Sequence, residues 1–210
     1  MKPFLEKYRS QLFIAVVVLQ ALVLLGMVVK RQQLLDSPNT VLLQCEPVDP
    51  RSLLSGDYVI LTYSISRFDG EKMRRLNIFH ESYTYGETVY VALQPGQKIP
   101  TTENPESETA PHQAVAISRD LKKLRETYPL ILRGRTTSDH QWPGSTEEVF
   151  DEFSSGLSLE YGVEEYFVPQ YEGRRIETEL AKTTVEVALA DSGESAIRRL
   201  FLDGEEVRFY

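Results

Sequence analysis

Residues 12–29, LFIAVVVLQALVLLGMVV, run for eighteen positions without a charge, and thirteen of the eighteen are Leu, Ile, Val or Phe. At roughly −0.3 to −0.6 kcal/mol per such side chain, bilayer insertion is favoured by about 4 to 8 kcal/mol. As a helix the run is about 27 Å long, close to a hydrocarbon core of about 30 Å. Lys2, Lys7 and Arg9 precede it, and Lys30 and Arg31 follow it with stems long enough to snorkel. A cleaved secretion signal shares the basic lead and the apolar centre. Here, however, the run exceeds a typical signal core, Met27-Val28-Val29 lacks small residues for cleavage, and two cations follow directly. Cys45 is no lipoprotein acceptor, since Gln44 precedes it. We therefore expect an uncleaved single-pass transmembrane helix that meets the lipid bilayer through residues 12–29. The three-to-two excess of cations before the run points to a cytoplasmic N-terminus, with the rest of the chain extracytoplasmic at the cell (inner) membrane.

Beyond Arg31 the pattern changes to short runs rich in Val, Ile, Tyr and Phe. The helix is expected to continue to Leu35 and to break at Asp36-Ser37-Pro38-Asn39, which divides the chain into 1–35 and 36–210. Strands are expected at 41–48, 58–65, 76–80, 87–94, 114–119, 130–135, 158–168, 183–190 and 196–202. In 87–94, Val89, Val91 and Leu93 alternate with Thr88, Tyr90 and Ala92, which marks one buried face. Two short helices are expected. One is capped by Ser118 and stopped by Pro129; the other spans 173–182, with Arg175 and Glu179 as an i,i+4 ion pair. Residues 97–112, with three prolines and three glutamates, suit an exposed mobile loop. The fold class is α+β, mainly β: one transmembrane helix followed by a single β-rich domain.

Charge narrows the partners. The chain carries −8 over 210 residues, but residues 1–31 hold five cations against Glu6 alone, leaving 18 basic and 30 acidic groups in 32–210, a net −12. Such a domain repels phosphate backbones, so no nucleic acid is expected. One Cys excludes an intrachain disulfide and any multi-thiolate metal site.

The most distinctive string is PVDPRSLLSGDYVILTY, residues 47–63. It is a turn feeding a strand: Pro50 fixes one φ, Gly56 admits a positive φ, and Asp57 suits an Asx turn. Val59, Leu61, Tyr63 and Ile65 then share one face, opposite Tyr58, Ile60, Thr62 and Ser64, in a strand expected to be central. The segment Gly56 to Tyr63, GDYVILTY, resembles the signature of the bacterial GDYXXLXY family, which has no assigned activity. Tyr161 to Pro169, YGVEEYFVP, is similar to that family's later YG-x-E-x-YFVP stretch, while Gln170-Tyr171-Glu172 departs from its usual Glu-Gly. The resemblance implies kinship over most of residues 12–210. It also implies a partner, because members are encoded beside multi-pass membrane proteins.

The chain carries no complete catalytic pattern. A membrane-anchored serine hydrolase resembling a signal peptidase is one alternative, since those enzymes also carry a Gly-Asp at a strand start. Val48 stands where the nucleophile belongs, Ser52 and Ser55 have no placed base, and Lys72 falls in a charged stretch, 69–75, expected to be a solvated loop. GxSxG, SxxK, HExxH and phosphate-binding loops are absent, and His80, His112 and His140 are scattered as surface histidines would be. No catalytic residue, metal or cofactor is expected. The binding candidates are Asp57, Tyr58, Tyr63, Tyr161, Glu164 and Glu165, with Pro50, Gly56 and Leu61 as structural parts of the motif. A tyrosine-lined module for a small ligand or glycan is a further alternative. In a strand Glu164 and Glu165 face opposite ways, so at most one is buried, and that one needs a partner such as Arg174 or Arg175 or a raised pKa.

Overall fold

The computed structural model describes residues 2–47, 58–78, 81–96, 110–140, 156–169 and 173–208. It opens with α1 (Lys2–Leu35), whose side chains are exposed at every position from Gln11 to Gln33. Among the described residues none buries the apolar stretch of this helix, and by length and composition it can cross a membrane. Its end falls at the expected break. Asp36 N–H donates to the Gln32 carbonyl (2.9 Å), the Gln32 amide donates to Asp36 Oδ2 (3.0 Å), and Pro38 follows.

The remaining elements, in chain order, are β1 (Thr40–Gln44), β2 (Tyr58–Ile60), β3 (Arg67–Phe68), α2 (Gly70–Arg75), β4 (Thr88–Pro95), β5 (His112–Ser118) and α3 (Leu121–Arg125). They are followed by β6 (Ile131–Thr136), β7 (Leu157–Glu160), β8 (Glu165–Phe167), α4 (Gly173–Thr178), β9 (Thr183–Leu189), β10 (Ser195–Leu202) and β11 (Glu205–Glu206), with a short 3-10 turn at Leu180–Lys182 before β9. The strands form a four-stranded sheet ordered β1-β9-β10-β11, a five-stranded sheet ordered β3-β7-β6-β4-β5, and a two-stranded ribbon β2-β8. All the pairings are antiparallel.

Alternation explains which faces meet. Val41 and Leu43 of β1 and Val185 and Val187 of β9 point into the same core as Val89, Val91 and Leu93 of β4 and Leu132 of β6. On the other face of the five-stranded sheet, Ala92 and Ile131 pack with Leu124 of α3. The single thiol, Cys45, is buried at a β-bridge to Tyr63, and burial pushes its pKa up to about 12.

Several expectations need correction. Residues 69–75 are not a solvated loop: Asp69 accepts from the Lys72 N–H (2.8 Å) and caps α2, whose Met73 is buried. The helix ends at Leu76 and Asn77 has φ +55°, so the strand expected from residue 76 does not form over 76–78. Asp120, rather than Ser118, caps α3, accepting from the N–H groups of Lys122 (2.8 Å) and Lys123 (3.3 Å). The expected strand 158–168 is two strands, broken at Gly162, where φ is +76°. α4 ends at Thr178, so Arg175 and Glu179 do not share one helix as the expected i,i+4 pair requires. His112 and His140 are buried, not on the surface. Of the expected loop 97–112, residues 97–109 lie outside the described residues, and His112 already belongs to β5.

Candidate functional site

The two distinctive strings meet. β2 and β8 pair with Tyr58 opposite Phe167, Val59 opposite Tyr166 and Ile60 opposite Glu165. The Leu61 N–H then donates to the Glu164 carbonyl (2.6 Å). Past Leu61 the chain changes partners: Glu46 N–H donates to the Thr62 carbonyl (2.7 Å) and Ser64 N–H to the Gln44 carbonyl (3.0 Å). The segment is therefore not the central strand expected from its apolar run. It is a splice that joins the β2-β8 ribbon to the residues extending β1.

Two tyrosines lock this splice reciprocally. The Tyr63 hydroxyl donates to the Val163 carbonyl, and the Tyr161 hydroxyl donates to the Ile65 carbonyl (2.5 Å). Both rings are buried, and burial raises both phenol pKa values above the usual one, which keeps the hydroxyls protonated as donors. The Tyr161 ring needs room on β6. A Cβ at Gly134 would lie 3.0 Å from that ring, so glycine permits the approach. Between the tyrosines the chain turns at Gly162. The Glu164 carboxylate folds back to accept from the Tyr161 backbone N–H, with burial raising its pKa and neighbouring backbone donors opposing the rise. Of the two possible outcomes for this carboxylate, the raised pKa is the one realised. Its partners are backbone amides rather than Arg175.

The opposite face of the ribbon is turned outward. Ile60 is 46% exposed and Phe167 73% exposed, and the Tyr58 and Phe167 rings lie 6.3 Å apart at 60°. Glu165 is exposed beside Ile60. Of the binding candidates, Glu165 is exposed and Tyr58 is half-buried on the outward face, whereas Tyr63, Tyr161 and most of Glu164 are spent on the protein's own backbone. Pro50, Gly56 and Asp57, together with Ser52 and Ser55, lie outside the described residues.

Elsewhere, Lys72 Nζ donates to the carbonyls of Ser64 (3.0 Å) and Arg67 (3.1 Å), which ties it to the chain around β3. Among the described residues no three His, Cys, Asp or Glu side chains gather as a metal site. A network absent from the sequence reading centres on Arg119. It binds Glu81 (2.9 Å) and Glu87, donates to the Ser82 carbonyl (2.5 Å), and lies 4.5 Å from the centre of the Tyr83 ring. His112 is a second omission: its Nδ1 accepts from the Leu42 N–H (3.1 Å), an edge-strand amide that β9 does not satisfy.

The family model described as GDYXXLXY protein matches residues 20–200, most of the chain. The chain belongs to the GDYXXLXY family. No curated protein and no solved structure matches it. In this member the final Leu and Tyr of the GDYXXLXY string are Leu61 and Tyr63, both inside the core, while its first Tyr, Tyr58, borders solvent. The described part of the string is thus a fold-locking element with one outward edge.

Proposed function

We propose that this GDYXXLXY protein is a membrane-anchored, non-catalytic interaction domain and an accessory partner of a multi-pass membrane protein. The carrying observation is the outward face of the β2-β8 ribbon, where Tyr58, Ile60 and Phe167 expose apolar surface on the very element whose other face is locked by tyrosines. Aromatic side chains rimmed by a charge such as Glu165 are the composition of a protein contact rather than of a solvated edge. The ribbon begins three residues after Gly162, and Gly162 borders the foot of α1. A partner embedded beside the anchor is therefore within reach.

In this reading α1 remains attached, its N-terminus is cytoplasmic, and the domain stands outside the cytoplasm. Affinity capture from detergent-solubilised membranes should recover a polytopic protein with the wild type and lose it with Tyr58→Ser plus Phe167→Ser. Recovery of the protein alone, or capture unaffected by the double variant, would refute the proposal. Proteolysis within 97–112 from the extracytoplasmic side only is the expected topology result; cleavage from the cytoplasmic side would reverse the orientation.

A further inference from the structure

The foot of α1 does not swing free of the domain. Lys30 Nζ lies 2.9 Å from Glu194 Oε2, Arg133 Nη2 lies 3.5 Å from Glu194 Oε1, and the Ser37 hydroxyl donates to the Leu189 carbonyl (2.6 Å). These contacts hold a cavity of about 620 Å³ between helix and domain. Met27, Lys30, Arg31 and Leu34 form one wall, and their i, i+3, i+4, i+7 spacing puts all four on one helix face. Arg133 of β6, the Tyr161-Gly162 turn and Glu194 form the other.

Charge and polarity in this cavity are graded along the helix. Met27 belongs to the uncovered apolar run, while Lys30 and Arg31 come one turn later, where the helix leaves the apolar stretch. Three cations face one carboxylate, and Arg31 pairs with no carboxylate among the described residues. The volume falls within the range of about 300 to 1,000 Å³ typical of small-molecule sites.

We propose that this cavity binds the phosphate headgroup of an anionic glycerophospholipid, with Arg31 and Arg133 on the phosphate and the acyl chains running past Met27 along α1. Guanidinium groups match the geometry of a phosphodiester and keep their charge at the membrane surface. Lys30 lies closest to Glu194 (2.9 Å) and steadies the junction, while Arg133, farther from that carboxylate at 3.5 Å, and Arg31 supply the binding charge. An occupied cavity fills the gap between anchor and domain and sets the orientation of the β2-β8 ribbon above the bilayer. The assignment rests on α1 being a retained membrane anchor.

The test uses the full chain reconstituted in vesicles of equal parts phosphatidylglycerol and phosphatidylcholine, extracted in detergent and examined by native mass spectrometry. The wild type should retain phosphatidylglycerol in preference to phosphatidylcholine. Arg31→Gln with Arg133→Gln should reduce that retention about twenty-five-fold, at roughly fivefold per cation removed. Arg31→Lys with Arg133→Lys, which keeps the charges but not the guanidinium forks, should retain phosphatidylglycerol better than the Gln pair and less well than the wild type. Melting temperatures of both double variants should match the wild type, since the substituted side chains lie outside the core. Equal retention of both lipids, or retention unaffected by Arg31→Gln with Arg133→Gln, overturns the proposal. So does protection of lipid-free protein by inorganic phosphate as strong as that given by the lipid, because the site would then belong to a soluble anion. Alkaline extraction of the vesicles separates the two levels: a chain that stays embedded without lipid preference refutes the headgroup site alone, whereas a chain that washes off refutes the anchor as well.

Discussion

Tyr58 and Tyr63 lie five residues apart on one segment of chain, yet their environments are opposite. Tyr63 is fully buried and its hydroxyl is tied to the Val163 carbonyl, while Tyr58 borders solvent and pairs its ring with the exposed Phe167. Val59 and Leu61 follow the inner pattern and Ile60 the outer one. On the inner face the Tyr63 and Tyr161 hydroxyls both bond backbone carbonyls of the partner segment, so the side chains there specify one splice between ribbon and sheet. On the outer face apolar area is left to water, which adds nothing to the fold of the isolated domain. The same family string therefore carries two separable kinds of information, one about folding and one about contact.

The comparison can be broken most severely by Tyr63→Ala. Removing a fully buried aromatic ring should cost about 3 to 5 kcal/mol, a fall in melting temperature on the order of 10 °C for a domain of this size. A shift of a degree or two would mean that the inner face is not what locks the splice. Tyr63→Phe and Tyr161→Phe isolate the hydroxyls and should each cost about 1 kcal/mol by denaturant unfolding. Because both bonds bridge the same two segments, the double variant should depart from additivity by about 0.5 kcal/mol or more.

Acid should separate two buried groups with opposite signs. Burial lowers the His112 pKa, so its contribution is fully present above the unfolded value of about 6.5 and is lost as pH falls through the folded value, with a slope of at most about 1.4 kcal/mol per pH unit. Burial raises the Glu164 pKa, so its contribution is present below the unfolded value and is lost as pH rises through the folded one. His112→Asn should remove the acid-side loss, and Glu164→Gln should remove the loss on the rising side; unchanged unfolding profiles across that range would contradict both assignments. The smallest stability effect belongs to the outer face. Tyr58→Ser and Phe167→Ser should each change stability by no more than about 0.5 kcal/mol while abolishing partner capture. A destabilisation as large as that of Tyr63→Ala would erase the distinction between the faces.

Much of this was legible in the sequence, for identifiable reasons. The long apolar helix and its end at Leu35 follow from an uncharged run and an Asp-Ser-Pro-Asn break, β4 follows from alternation, and β9 falls within the strand expected at 183–190. The face shared by Val59, Leu61, Tyr63 and Ile65 is buried as the period of two requires. Alternation did not disclose that the strand changes partner after Leu61, because period fixes faces and not neighbours. α2 was hidden because only Met73 of its six residues is buried, too few to show a helical period. The split between β7 and β8 depends on a single glycine in an otherwise strand-like run. Tyr63 and Tyr161 were visible as candidates, but their reciprocal bonds join residues about a hundred positions apart, and no local pattern records such a pairing.

Cys45 sits at the β-bridge to Tyr63, shielded and with its thiolate strongly disfavoured. The native state therefore withholds its one sulfhydryl from alkylating reagents, and modification must wait for the splice to open. The labelling rate of this residue is a built-in clock for that opening, with no foreign reporter added. A cysteine introduced at an exposed position would in turn be modified against a silent background, which suits the native chain to mapping which of its surfaces a reagent can reach.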